Sequence, residues 1–246
     1  MKTSAEYRAS AREALTGHWL AAAAAGVIAV FFGAETFEYL PEREELERLY
    51  RGESPAIQAL LFLLLALLAA RVLFIFLTGG ASKIGLSAYH LALVDGRAAD
   101  IREVLPRRDR LRRGIGMALR IAILQTLWSL LFVIPGIVKG FAYALTPYLL
   151  AEAPDMRVRD AMAESERRMM GHKWRLFCLR VSFFGWQMLE AAAMGFAIAS
   201  LKGESWGILT LPLLLLALAG GCFLDAYMHT AEAAFVRDLP GGAAYA

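Results

Sequence analysis

The sequence predicts an all-α, polytopic helical membrane protein, and three observations predict it. Of 246 residues, 58% are hydrophobic and 20% charged, which is too apolar for an ordinary soluble domain of this size. Residues 55–78, PAIQALLFLLLALLAARVLFIFLT, hold one charge, Arg71. At about 1.5 Å of rise per residue they exceed the roughly 20 residues a helix needs to cross about 30 Å of hydrocarbon. Four further apolar stretches alternate with strongly charged ones. A single membrane domain over residues 1–246 accounts for this, with six membrane segments: four full spans plus a helical hairpin broken at Pro-Gly.

In chain order, residues 1–17 read as a cytoplasmic amphipathic helix and 18–34 as the first span. The alanine-rich start of that span, Ala21 to Ala25, and the acidic Glu6 and Glu13 before it argue for a retained segment rather than a cleaved signal peptide. Ala21, Ala25, Ala29 and Gly33 recur every fourth position and allow close backbone approach. Residues 35–54 form an acidic outer loop with seven glutamates. Ser54 caps and Pro55 opens the second span, 55–78, because a Ser side chain satisfies free N–H groups and a first-turn proline lacks one.

Residues 80–113 are a basic cytoplasmic segment in which Ile84, Ala88, Leu91 and Val94 share a helical face until Asp95-Gly96 stops it. After the hairpin of 114–151, residues 152–175 carry a second amphipathic helix. Asp155 caps it, Val158, Met162, Ser165 and Met169 share one face, and Gly171 ends it. Both faces are expected to lie on the anionic inner leaflet, where a basic side chain near the surface is worth about 1 kcal/mol. The fifth segment, 176–200, has a small-residue stripe at Ala191, Gly195 and Ala199, open to the bundle or to a second copy. The sixth, 206–228, leads to a cytoplasmic tail, 229–246. Trp19, Trp174 and Trp206 fit aromatic belts.

Lys and Arg number eight in residues 80–113 and six in 152–175, whereas the outer connections hold few, among them Lys139 and Lys202. The excess of basic residues on cytoplasmic flanks puts both termini inside. The stretch 114–151 must then cross twice or re-enter. Pro135-Gly136 interrupts it, and Thr146-Pro147 breaks its short second arm again. Such a break is either a plain turn or, as in transporters, a binding site.

Around this hairpin the chain becomes familiar. The run Ile134-Pro135-Gly136-Ile137-Val138-Lys139 is continued by YALTPYLLAE (Tyr143 to Glu152), DAMAES (Asp160 to Ser165) and Met170-Gly171-His172-Lys173. It resembles a bacterial membrane family catalogued as domain of unknown function 975. The opening, Lys2 to Glu6 and Ala11 to Leu15, is similar to that family too. The resemblance implies a multi-pass protein of the cytoplasmic membrane and brings no activity with it.

Ionisable residues inside spans are functional candidates because burying charge in lipid is costly. Arg71, Arg120, Arg180 and Asp225 lie near the predicted inner boundary, where arginines snorkel and Asp225 can pair with one of them. Glu190 sits deeper and must pair, take up a proton or face water. Asp225, His229 and Glu232 follow i, i+4, i+7 spacing, but no second histidine stands near His229 in sequence, so no metal and no cofactor are expected. Cys178 and Cys222 read as packing residues. The Arg107 to Arg113 cluster precedes a span and has no interleaved aromatic residues, which argues for a topology anchor and against nucleic acid.

No nucleotide loop, serine elbow or zinc-protease motif is present. A non-catalytic accessory or scaffold protein, meeting membrane lipids and a membrane protein partner or a second copy, is the first expectation. A small transporter or exporter for a lipid, peptide or solute, using the broken hairpin with Lys139 and Glu190, is the alternative. A scaffold would tolerate Glu190→Gln and fail when the Val158/Met162/Met169 face is disrupted; a transporter would show the reverse.

Overall fold

A computed structural model describes residues 3–32, 55–200 and 207–240. The acidic loop, Gly33, Ser54, Lys202 and Trp206 lie outside the described residues, as does the side chain of Ala199. The described residues form helices and no strand: α1 (Ser4–Leu15), α2 (Trp19–Phe31), α3 (Pro55–Val94), α4 (Arg108–Leu131), α5 (Val133–Ala142), α6 (Thr146–Glu152), α7 (Val158–Arg168), α8 (Lys173–Ser200) and α9 (Gly207–Asp238). A 3-10 turn, Ile101–Val104, joins α3 to α4. Four stretches are long and apolar enough to cross a membrane, Ala59–Val94, Arg108–Leu131, Ile134–Glu152 and Leu214–Asp238, beside the shorter apolar Trp19–Ala29. The helix α8, whose apolar stretch contains Arg180 and Glu190, is not among the four.

Exposure divides the helices lengthwise. At one end large apolar side chains face outward, among them Leu67, Leu130 at 84% exposure, Ile134 and Leu216; a hydrocarbon solvent accommodates such a surface and water does not. At the other end a protein core forms from Tyr7, Ile84, Leu91, Leu149, Met169, Leu179 and Phe235. A smaller cluster of Leu15, Ala25, Ala29, Tyr89 and Ala226 seats α2 against α3 and α9. The first and last helices meet in this core: Tyr7 Oη donates to the Asp238 carboxylate at 2.5 Å, and the Tyr7 and Phe235 rings meet edge-on at 5.5 Å. The start of α1 is held by a reciprocal cap, in which Glu6 N donates to Thr3 Oγ1 and Thr3 N to Glu6 Oε2.

Three expectations are corrected. First, α3 runs unbroken for 40 residues through Gly79-Gly80. The stretch after the span is a central helix instead of a surface one, with Ser82, Ile84, Tyr89, His90 and Leu91 all buried. It still stops where expected, at Gly96, whose φ of 66° is available to glycine at little cost. The reason for the burial is at Gly80: a Cβ there would strike the backbone of Gly114, so α3 and α4 touch backbone to backbone.

Second, the apolar face of α7 turns onto the protein. Met162, Ser165 and Met169 are buried, and Val158 packs against the same core. The hydroxyl of Ser165 donates to the Ala142 carbonyl at 2.7 Å and accepts from Leu145 N at 3.2 Å, satisfying backbone that the interruption between α5 and α6 leaves open. On the outer face of α7, hydrogen bonds from Arg167, opposed by burial and reinforced by Arg168, bring the Glu164 carboxyl down from its ordinary 4.5 to about 2. A depressed folded-state pKa adds stability that is complete above the unfolded value and is lost as pH falls through the folded one. The melting temperature should therefore fall between pH 4.5 and about 2, and Glu164→Gln should flatten that part of the profile.

Third, the hairpin turns at Phe132, whose extended backbone (φ −158°, ψ 143°) separates α4 from α5. Pro135 lies inside the first turn of α5, where a missing N–H costs nothing. Gly136 lies against Ser129 and Gly140 against Gln125, so the two arms run antiparallel. The second interruption is where Thr146-Pro147 placed it, with Pro147 in the first turn of α6. Lys139 is not in an outer turn: its Nζ donates to Glu166 Oε1 of α7 at 2.5 Å and lies 5.3 Å from the Trp128 ring. A cysteine at position 139, in protein lacking Cys178 and Cys222, should resist labelling from outside, whereas one at Phe132, 69% exposed at the tip, should label.

Candidate functional site

Where the outward apolar surface gives way to the core, α3, α4, α8 and α9 and the α5–α6 arm enclose a cavity of about 670 Å³. Each wall follows from helical periodicity. Gly80, Lys83, Ser87 and His90 recur at three- and four-residue steps on α3, Arg180 and Gln187 lie seven apart on α8, and His229 and Glu232 three apart on α9. Gln125 comes from α4, and Tyr143 and Pro147 from the broken arm.

Two side chains on the α8–α9 wall satisfy each other. Arg180 Nε donates to Glu232 Oε1 at 2.7 Å, and its guanidinium lies 5.4 Å from the Phe141 ring. Glu232 is buried, so its charge depends on that arginine. The pairing takes Glu232 away from the metal set that its spacing with Asp225 and His229 suggested, and among the described residues no group of three metal-ligating side chains forms.

Two groups of the α3 wall face the cavity. Lys83 is exposed, its ammonium makes no side-chain hydrogen bond or ion pair among the described residues, and its charge reaches the Glu232 carboxylate across the cavity. His90 is 1% exposed. Thr230 Oγ1 donates to the Ala226 carbonyl at 2.7 Å, and with that proton committed it accepts from His90 Nδ1 at 2.9 Å. A neutral imidazole has one N–H, so Nε2 carries the lone pair, and it is buried with no partner. The His229 ring stands 5.6 Å from His90, supplying a second histidine brought in from another helix. The cavity thus presents an exposed ammonium, an unmatched acceptor, and the amides of Gln125 and Gln187.

Of the residues singled out from sequence, Arg180, His229 and Pro147 line this cavity. Arg71 is half-buried on α3, 6.0 Å from the Phe74 ring. Arg120 is exposed on α4, Asp225 half-buried on α9, and Pro135 and Gly136 lie near the hairpin tip. Glu190 is elsewhere: its carboxylate fills the space left by Gly221, in an apolar groove between α8 and α9. Lys83 is not among the sequence candidates, and His90 reads from sequence as a boundary histidine in a segment separate from His229, because the stretch holding both read as a surface helix. Their shared face with Ser87 was the available signal.

A family model described as "Protein of unknown function (DUF975)" matches residues 112–241, which leaves α1 to α3 outside the match. No curated protein and no solved structure matches the chain.

Proposed function

The chain belongs to the DUF975 family, whose description carries no activity, and on that premise we propose that it is a non-catalytic membrane protein that binds a small anionic, hydrogen-bond-donating molecule in its central cavity, as a small transporter or exporter would. The observation that carries this reading is the buried, unmatched His90 Nε2, with the exposed Lys83 ammonium on the same wall. A buried acceptor without a donor costs about 1–3 kcal/mol, and a donor on a ligand recovers it. The cavity volume falls within the roughly 300–1,000 Å³ usual for small-molecule sites.

The scaffold reading rested on surface helices, small-residue packing stripes and the lack of a catalytic set, and the apolar face of α7 is spent on this protein's own core. Basic residues of α1, the α3–α4 connection and α7 gather at the end where α1 meets α9, which supports a cytoplasmic-membrane protein with both termini inside.

Native mass spectrometry of protein extracted gently from its own membrane tests the proposal. A bound small molecule is expected, lost in Lys83→Gln and retained in Glu190→Gln, since Glu190 lies outside the cavity. A stoichiometric protein partner and no small molecule would replace this reading with the scaffold.

A further inference from the structure

A separate recess of about 510 Å³ opens on the flank of α4, where Arg112, Arg113 and Arg120 face Arg157 and Arg159 at the start of α7, over a floor of Gly116 and Val158. Five guanidiniums share it and no carboxylate lines it. Several arginines elsewhere are matched with acids: Arg107 and Arg110 with Glu103, Arg168 with Glu164, Arg180 with Glu232, and Arg237 with Asp95. In the recess, Arg113 alone is engaged, donating to the Leu150 and Ala153 carbonyls at 2.8 and 3.0 Å while its Nε stays buried and unmatched. The side chains of Arg112, Arg120, Arg157 and Arg159 have no hydrogen-bond or ion-pair partner among the described residues. The N-terminus of α7, an 11-residue helix whose Arg157 provides no side-chain cap, adds partial positive charge to the same place.

Asp109 and Asp155 lie near enough to act on Arg113 but do not line the recess, and five positive charges around one opening favour an anion there. The position selects the anion. Arg120 lies seven residues, about 10 Å, along α4 from Arg113, beside the outward-facing Leu119 and Ile123. The recess therefore sits where the basic end meets the apolar belt, at the depth of inner-leaflet phosphates.

We infer that it is a binding site for the phosphate of an anionic phospholipid, held by forked guanidinium hydrogen bonds while the acyl chains run along Leu119 and Ile123. This site is independent of the central cavity.

The full chain in nanodiscs of equal phosphatidylglycerol and phosphatidylcholine, examined by native mass spectrometry, tests it. The protein should retain phosphatidylglycerol preferentially, and R157Q/R159Q should lower that preference about thirtyfold, the effect of two basic side chains at a membrane surface. R102Q/R108Q, which removes the same charge from exposed positions outside the recess, should leave it unchanged, and both variants should keep the wild-type melting temperature because all four side chains are exposed. Equal loss in both variants, or no preference in the wild type, would overturn the site. Inorganic phosphate binding as tightly in phosphatidylcholine discs would show a free-anion site and overturn the lipid assignment.

Discussion

Arg237→Met is expected to destabilise the protein by about 3–5 kcal/mol, because it strands the buried Glu152 carboxylate and leaves Asp95 with only the exposed Arg97. The Arg237 guanidinium donates to both oxygens of Asp95, at 2.7 and 2.6 Å, and also to Glu152. These three side chains are 13%, 16% and 6% exposed, and they tie together the ends of α9, α3 and α6. Burial pushes the Asp95 carboxyl up, but hydrogen bonds from Arg237 and Arg97 outweigh it and leave the group below its ordinary range. Its contribution is complete above the unfolded value and fades in acid as the carboxyl takes up its proton. Thermal unfolding in detergent reads the loss, and limited proteolysis near Asp95 should accelerate. Arg237→Lys, which keeps the charge and gives up the fork, should fall in between. A change under about 1 kcal/mol would mean that the three helix ends are held by apolar packing alone.

Gly80→Val should separate α3 from α4 and prevent the native bundle from forming. A Cβ at Gly80 would collide with the Gly114 backbone, and one at Gly114 with Ala81 N, so neither neighbour can yield by turning a side chain. Gly85 repeats the device against the Glu103 carbonyl. Overpacking a core usually costs about 1–3 kcal/mol when side chains can adjust, and backbone contact leaves less room than that. The expected observation is loss of the monodisperse, folded species on size-exclusion chromatography. Gly195→Val is the control, because nothing lies within 4 Å of a Cβ there. A folded Gly80→Val protein with wild-type stability would show that the two backbones do not meet.

Much of the architecture was legible in the chain. Unbroken apolar runs mark the spans whatever surrounds them, because lipid accepts only helices whose polar backbone is satisfied internally. Gly96 and Gly171 end their helices as expected, with φ of 66° and 78°, since that conformation is a local property of glycine. The second interruption at Thr146-Pro147 was equally local.

What covers a face is not local. The periodicity of Val158, Met162 and Met169 identified an apolar stripe, but lipid and protein interior are equally apolar, so only the packing of α4, α5 and α6 decided between them. The sequence put Lys139 in an outer turn and left open whether it is exposed or buried, and Glu166, 27 positions away, holds it against α7. The cavity belongs to the tertiary structure for the same reason. Lys83 and His90 stand about 140 positions from His229 and Glu232, and nothing in the spacing of either pair records the other. The sequence by itself determined which solvent each segment tolerates, because hydropathy is a property of residues one at a time; only the folded bundle decided which polar groups meet and which are left unmatched, because pairing is a property of two distant positions held together by everything packed between them.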